Sequence, residues 1–255
     1  MLDYLYYTNG GIDLTTNLNN NYNSVIKTNS QINGQIQSLE TDTTLAMRKM
    51  THEFGNALTL INSSLQIIES SHPEVKDFKY WSSAMNDVNY LINLIKELSL
   101  FNNSRKINLA ETNILAILQS IIDTYSCINS SDNISVKLDA VNNIPTILGD
   151  ETKLKQVFIN LIKNSFEALD CSRPSYIHVS VQAFEHHLII KVKDNGCGIP
   201  PDNIDDIFTP MVTFKNGGTG LGLPISKKII EAHNGTINVS SIQGKCTTFT
   251  IYLPL

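Results

Sequence analysis

The chain has 255 residues with 24 acidic and 19 basic side chains, which gives a formal net charge of −5. Nucleic-acid-binding domains usually carry a basic face, so this balance argues against nucleic acid as a partner. No apolar run approaches the roughly 18 residues that a membrane span needs, and no basic, apolar leader opens the chain, so we expect a cytoplasmic protein. The four cysteines lack CxxC spacing, which favours free thiols over disulfides or a zinc site.

Residues 1–44 are a polar N-terminal segment rich in Asn, Thr and Ser. A mostly apolar series nevertheless recurs in it at alternating intervals of four and three, from Leu18 to Leu39, with Asn29 as its one polar member. This spacing is typical of a heptad seam and predicts a signalling coiled coil. Gly34 and the many asparagines lower helix propensity, so a polar tail with chance periodicity is the alternative.

Residues 45–104 are predicted to form two helices joined by a turn at Ser70–Pro73, because proline blocks continuation of a helix. His52 lies on the first helix, away from its apolar side. That side is formed by Met50, Phe54, Ala57, Ile61 and Ile68. Two antiparallel helices alone would expose this stripe, so we expect a homodimer in which two copies form a four-helix bundle.

Residues 105–255 combine helical and strand patterns and predict an α+β fold, an α/β sandwich with a mostly antiparallel sheet. Asp150 is a candidate N-cap for the second of the helices. The predicted helices are Asn113–Tyr125, Asp150–Leu169 and Leu223–His233. The predicted strands are Ile134–Leu138, Ile177–Phe184, Leu188–Lys193, Thr236–Ser240 and Thr247–Leu253. The boundary with the helical hairpin is expected near residues 104–108.

Three groups of residues in this second half have the chemistry of a nucleotide pocket. Asn160 and Asn164 share one helix face, and their amide oxygens suit Mg²⁺ that phosphates have already neutralised. Asp194 ends a strand, where its carboxylate can accept a hydrogen bond from an exocyclic amine. Gly217–Gly222 runs into a helix, whose N-terminus favours anions. Taken singly, these features also fit a polar helix face, a turn and an ordinary glycine-rich loop.

In combination and order, the motifs resemble those of the sensor histidine kinases, whose Bergerat-type ATP-binding domain is shared with gyrase and the mismatch-repair ATPases. The matching motifs are the N box QVFINLIKN, the glycine box DNGCGIP, the F box Phe208–Lys215, the glycine box GGTGLGL and the closing strand Gly244–Leu253. The resemblance covers roughly residues 46–255. It departs from the family at Ala57, where proline is usual, and at Met211-Val212, where an aromatic pair is usual.

The resemblance implies ATP and Mg²⁺ as cofactors and assigns roles to several residues. Asp194 would bind the adenine amine, Asn164 would ligate Mg²⁺, and Asn160 would support the metal–phosphate cluster. Residues Pro201–Gly217 would form a lid over ATP, and Lys215 in this lid would reach the terminal phosphates. The other residues expected to contact ATP are Gly196, Gly198, Gly218, Thr219, Gly220, Leu221 and Gly222.

His52, Glu53 and Asn56 resemble the phospho-acceptor motif of the same family. A neutral imidazole is a good nucleophile near neutral pH, and the Glu53 carboxylate can accept its proton. The family often has Thr or Asn at the position of Asn56, where it orients a water for dephosphorylating the partner. The expected enzyme autophosphorylates His52, transfers the phosphoryl group to an aspartate of a response-regulator receiver domain, and also dephosphorylates that regulator.

Three alternatives share the nucleotide pocket. A hydrolytic ATPase of the same fold generally has Glu four residues before the metal-binding Asn, where this chain has Asn160. A Ser/Thr kinase of the anti-sigma type lacks the upstream hairpin with His-Glu. A non-catalytic scaffold protein would not need all the motifs of the nucleotide pocket, and this chain has all of them. No sensor domain is recognisable, so a separate sensor partner is one source of the signal.

Overall fold

The computed structural model describes residues 45–128, 134–141, 143–170, 173–215 and 217–255. The coiled coil predicted for residues 1–44 lies outside these ranges. The chain divides into two compact units, Met1–Met50 and Thr51–Leu255. The hairpin from Thr51 onward and the α/β part both belong to the second unit, so the predicted boundary near 104–108 stays a prediction.

The helical hairpin consists of α1, residues 45–71, and α2, Trp81–Asn103, joined by a 3₁₀ helix at Pro73–Asp77. The turn predicted at Ser70–Pro73 is confirmed, and Pro73 begins the 3₁₀ helix, where its missing N–H is harmless. Glu69 ties the turn together because its carboxylate accepts from Trp81 Nε1 at 3.1 Å and pairs with Lys76 Nζ at 3.0 Å.

The predicted apolar stripe of α1 lies on the surface of the single chain. Its large members are between 42% and 58% exposed: Met50, Phe54, Ile61 and Ile68. An exposed apolar row of this length on a helix usually marks an interaction surface. None of the helices in the described ranges is both long and apolar enough to cross a membrane.

The α/β part contains a five-stranded sheet with the order β2-β4-β5-β7-β6. The β2–β4 pair is parallel and the other three pairs are antiparallel, as the sequence predicted for most of the sheet. Its strands are β2 Ile134–Val141, β4 Ser175–Phe184, β5 His187–Asp194, β6 Thr236–Ile242 and β7 Cys246–Pro254. Three helices accompany the sheet: α3 Ile114–Ile128, α4 Glu151–Ala168 and α5 Gly222–Ala232.

A second, two-stranded sheet pairs β1, Ala110–Thr112, with β3, Ile147–Gly149. The sequence pattern did not predict it, because three residues are too few to show alternation. Thr112 Oγ1 donates to the carbonyl of Gly149 at 2.8 Å, which ties the segment before α3 to the segment before α4.

The apolar sides of the helices and the inward positions of the strands form one core. Phe158, Leu161 and Ile162 on α4 have no solvent exposure, and the alternating β4 residues Ile177 and Val179 are equally buried. Because removal of apolar area from water is the main source of folding free energy, this contact holds α4 in place. The opposite side of α4 remains available for polar chemistry.

Asp150 caps α4 as predicted and also connects it to two other segments. Its Oδ1 accepts from Lys153 N at 3.0 Å, and its Oδ2 accepts from Asn108 N at 2.9 Å. Burial opposes ionisation of this carboxyl, but the two backbone donors outweigh it, so the pKa of Asp150 is lowered. The Asp150 N–H donates to His233 Nε2 at 2.9 Å, so His233 has a structural role at the start of α4.

Candidate active site

Asp194, the expected adenine ligand, ends β5 and is 1% exposed. Its Oδ1 accepts from Gly196 N at 2.9 Å, and its Oδ2 accepts from Ser165 Oγ at 3.3 Å. Burial raises the pKa of this carboxyl, although the Gly196 and Ser165 donors and Lys215 favour its charged form. Ser165 was not singled out from sequence, because its partner lies on another element.

Gly196 and Gly198 are required by the packing of the backbone itself. A Cβ at Gly196 would lie 2.3 Å from the carbonyl oxygen of Ala168. Gly198 has φ +68°, and a Cβ there would lie 2.2 Å from the carbonyl oxygen of Ile242. Both glycines were expected to contact ATP, and close contacts between segments also exclude a side chain at each of them.

Asn160, Asn164 and Lys215 meet on the polar side of α4. Lys215 Nζ donates to Asn164 Oδ1 at 2.8 Å and pairs with Glu167 Oε2 at 2.6 Å. Asn164 Nδ2 lies 3.4 Å from Asn160 Oδ1, and Asn160 Nδ2 donates to Ser226 Oγ at 2.9 Å. The structure therefore brings together three of the predicted residues, although Lys215 follows Asn164 by 51 positions.

The side-chain oxygen atoms around Asn164 could supply only some of the ligands that Mg²⁺ needs. Asn164 and Glu167 offer the hard oxygen atoms that Mg²⁺ prefers. Across the described ranges, no group of three or more His, Cys, Asp or Glu side chains could hold a metal. Phosphate oxygens and water would have to complete the coordination, as is usual for Mg²⁺ bound with a nucleotide.

The second glycine loop leads into α5 and lies against Asn160. Gly220 has φ +69°, and a Cβ there would lie 2.6 Å from the carbonyl oxygen of Val212. Gly222 begins α5, and its Cβ would lie 2.5 Å from Asn160 Oδ1. Leu221 is buried and anchors the loop. The loop therefore places the N-terminus of α5, with its free N–H groups, beside the amides of α4.

Thr219, in the same loop, contacts the helical hairpin. Its hydroxyl donates to the Glu97 carboxylate of α2. Further along the chain, on α5, Lys228 Nζ lies 3.3 Å from the centre of the Phe101 ring, also on α2. Burial lowers the pKa of Lys228, and the nearby positive charge of Arg105 acts in the same direction. Sequence reasoning missed Glu97, because no local pattern distinguishes it on a helix.

Gly218, which completes the glycine-rich set, is constrained from within the lid. A Cβ on it would lie 2.6 Å from Thr213 Oγ1, and its N–H donates to the Lys215 carbonyl at 3.2 Å. The turn that carries Lys215 is thus closed by contacts of Gly218 with Thr213 and Lys215 of the predicted lid.

His52 is exposed on α1, as predicted. Its Nδ1 lies 3.3 Å from Asn56 Nδ2, so the structure brings these two residues of the motif together. Glu53 is also exposed, and consecutive residues on a helix do not face each other. Among the described residues of the motif, Asn56 therefore contacts the imidazole. The contact is at Nδ1 and does not involve Nε2.

Comparison with known proteins identifies the family. Residues 149–255 match the family described as histidine kinase-, DNA gyrase B- and HSP90-like ATPase. Sporulation kinase E of Bacillus subtilis is 32% identical over 207 residues, which is 81% of this chain and 28% of that protein. The chain belongs to the sensor histidine kinase family. The chain itself spans less than two thirds of the length of these curated relatives.

Two further comparisons agree with this assignment. The sensory histidine kinase/phosphatase NtrB of Vibrio alginolyticus is 30% identical over 221 residues, 83% of this chain and 62% of that protein. The crystal structure of full-length ShkA in complex with AMPPNP superimposes with a TM-score of 0.70 at 22% identity. That match covers 82% of this chain and 45% of ShkA, and it confirms a helical part followed by an α/β sandwich.

Proposed function

We propose that this sensor histidine kinase relative transfers the γ-phosphoryl group of ATP to His52. The phosphoryl group would then pass to an aspartate in the receiver domain of a response regulator. The observation that carries the proposal is the cluster on the polar side of α4. There the amides of Asn160 and Asn164 meet Lys215 and the N-terminus of α5. A histidine on an exposed helix, with one nitrogen outside its contact with Asn56, supplies a matching acceptor.

In this proposal the nucleotide is bound at three places. The Asp194 carboxylate accepts a hydrogen bond from the exocyclic amine of adenine. The N–H groups of the loop from Thr219 to Gly222 bind phosphate oxygens at the start of α5. Lys215 moves from Asn164 to the terminal phosphates and offsets their charge. Asn164 would then hold Mg²⁺ with Asn160 behind it, and the bound ion would neutralise charge on the transferring phosphoryl group.

In the chemical step, Nε2 of His52 attacks the γ-phosphorus. The Nε2–P bond forms as the bond from phosphorus to the bridging oxygen breaks, and ADP leaves with that electron pair. Attack by Nε2 requires the imidazole proton to be on Nδ1, the nitrogen that Asn56 contacts. Since the N and O atoms of a side-chain amide are interchangeable in shape, Asn56 can present Oδ1 to that proton. Glu53 stays the proposed acceptor when the proton leaves.

The proposal is tested with purified protein, γ-labelled ATP and Mg²⁺. We expect label on the protein that is stable in base and lost in acid, as a phosphoramidate bond requires. Addition of a receiver domain should then move the label to an acyl phosphate, which is base-labile. Acid-stable label, or binding of ATP with phosphate release and no labelled protein, would instead support one of the alternative readings.

Nucleotide binding should weaken on acidification at a pH above the titration range of an ordinary aspartate. The bound form needs an Asp194 carboxylate, and burial raises the pKa of that group. As pH falls through this raised pKa, the carboxyl becomes protonated and no longer accepts from the adenine amine. The measurement is the dissociation constant of ADP by calorimetry at a series of decreasing pH values.

The nucleotide-free protein provides the control for this pH series. For an acid whose folded pKa is raised, protonation favours the fold, so Asp194 adds stability at low pH and loses it as pH rises. Asp150 has a lowered pKa, so its contribution to the stability of the fold is lost only at a pH below the range in which Asp194 titrates. Loss of ADP affinity in parallel with loss of folded protein would therefore contradict the assignment to Asp194.

A second activity, dephosphorylation of the regulator, is favoured by the contact between Asn56 and the acceptor histidine. NtrB carries both activities in its name. We expect Asn56→Ala to lower phosphatase activity toward a phosphorylated receiver domain by roughly tenfold or more, because the amide no longer orients water. Autophosphorylation of His52 should persist, because Glu53 remains as the proposed acceptor of the imidazole proton. Equal phosphatase activity in Asn56→Ala and wild type would refute this role.

Homodimerisation is proposed because the exposed apolar row on α1 fits a second copy of the hairpin. Ile61→Glu should convert the protein to a monomer, since a carboxylate in the middle of an apolar interface is desolvated without a partner. Light scattering after size exclusion measures the mass. Ser63→Glu adds the same charge at another exposed position of α1 and should remain dimeric. A dimeric Ile61→Glu protein would place the interface elsewhere.

A further inference from the structure

Arg173 is hydrogen-bonded to the turn that follows Asp194. It lies just before β4, and its Nη2 donates to the carbonyl of Asn195 at 2.6 Å and to the carbonyl of Gly196 at 3.2 Å. Charged donors form stronger hydrogen bonds than neutral ones, and a guanidinium presents its donors in a rigid plane. The direction of two successive carbonyls is therefore set by one side chain.

The same turn is held from its other side by Asp194. The N–H of Gly196 donates to Asp194 Oδ1 at 2.9 Å, and a Cβ at Gly196 would meet the Ala168 carbonyl at 2.3 Å. Gly196 thus donates its N–H to the Asp194 carboxylate and accepts from Arg173 with its carbonyl oxygen. A change in either contact would rotate the peptide units that hold the Asp194 carboxylate in its orientation.

The Asn195 side chain has a different task. Its Oδ1 accepts from Tyr176 N at 2.8 Å, and its Nδ2 donates to the Pro174 carbonyl at 3.0 Å, so it fastens the turn to the beginning of β4. Among the described hydrogen bonds, Arg173 is the side chain that reaches the Gly196 carbonyl. The two residues can therefore be separated by substitution.

We propose that Arg173 is a positioning residue that sets affinity and selectivity for adenine at the Asp194 site. It acts by keeping Gly196 N–H on one oxygen of Asp194, which leaves the remaining lone pairs directed at the base. Adenine presents a donor at its exocyclic position and guanine presents an acceptor there, so a carboxylate in a fixed orientation selects adenine. The inference rests on the proposed nucleotide site and adds a determinant of its selectivity.

The test compares Arg173→Met and Arg173→Lys with wild type, using ADP and GDP as probes in calorimetry. Met keeps an unbranched stem but has no hydrogen-bond donor, so ADP affinity should fall roughly tenfold or more. GDP affinity should change little, so the ratio of ADP affinity to GDP affinity should fall by about the same factor as ADP affinity itself. Lys keeps one charged donor and should give an intermediate ratio. Arg105→Met, an exposed arginine after α2, removes the same charge and should leave the ratio unchanged.

A thermal melt without nucleotide accompanies each variant and separates positioning from folding. An unchanged ADP-to-GDP ratio in both Arg173 variants overturns the proposal, even if their melting temperatures fall. If Arg173→Met does not fold, the ratio measured for Arg173→Lys decides the question alone. Wild-type protein that binds neither nucleotide would refute the proposed site, and the inference with it. Wild-type binding of ADP combined with wild-type ratios in the variants refutes the inference alone.

Discussion

Asp194→Asn is expected to lower the affinity for ADP by about a hundredfold or more. The buried carboxylate of wild type accepts from Gly196 N and still has lone pairs for the adenine amine. An asparagine that keeps its Oδ1 on Gly196 must turn its own NH₂ group towards the base. Two donors would then face each other in a dry site, where an unpaired buried donor is costly.

The fold should survive this substitution, because Asn retains an acceptor for Gly196 and loses a charge that burial disfavours. Melting of the nucleotide-free protein checks this point, and calorimetry with ADP measures the affinity. Asp139→Asn is the control: it removes one carboxylate from the exposed end of the same sheet, where it pairs with His178 at 2.7 Å. An ADP affinity within a few-fold of wild type in Asp194→Asn would remove Asp194 from the site.

His52→Gln is expected to abolish labelling from γ-labelled ATP while leaving ADP affinity unchanged. Glutamine can occupy the same exposed helix position, but its amide nitrogen has no lone pair available for attack on phosphorus. The nucleotide site lies on α4, α5 and the strands, and no residue of it is altered. Filter-bound radioactivity measures the label, and calorimetry measures ADP binding.

His72→Gln provides the matched control for this prediction. His72 is also exposed and precedes the 3₁₀ helix of the hairpin, where it pairs with Glu74 at 3.0 Å. Its variant should be labelled as wild type is. Label that persists in His52→Gln would mean that another side chain is the acceptor. Label lost from both variants would instead indicate that the hairpin itself had been disturbed.

Local pattern was sufficient to predict most of the elements. The second α/β helix was expected at Asp150–Leu169 and runs over Glu151–Ala168, because the cap signal and the 3.6-residue period both lie within the segment. The strands were predicted within a few residues because their alternation of apolar and polar side chains is also local. The pair formed by β1 and β3 was missed, since its stability comes from a partner 37 residues away along the chain, as the Thr112–Gly149 bond illustrates.

The glycines show how a residue singled out by a motif can also be required by chain packing. Gly196 and Gly198 were expected to contact ATP. In the folded chain, their missing side chains make room for the carbonyls of Ala168 and Ile242. These partners are distant in sequence, so no local pattern could have identified them.

By itself the sequence determined the order of the motifs, the helices and strands that carry them, and the family to which the chain belongs. Those properties depend on neighbouring residues and on spacing along one element. Only the tertiary structure decided that Lys215 contacts Asn164, that Thr219 contacts Glu97, and that Arg173 holds the turn after Asp194. Hydrogen bonds act over about 3 Å in space regardless of separation along the chain, so folding alone determines which distant residues meet.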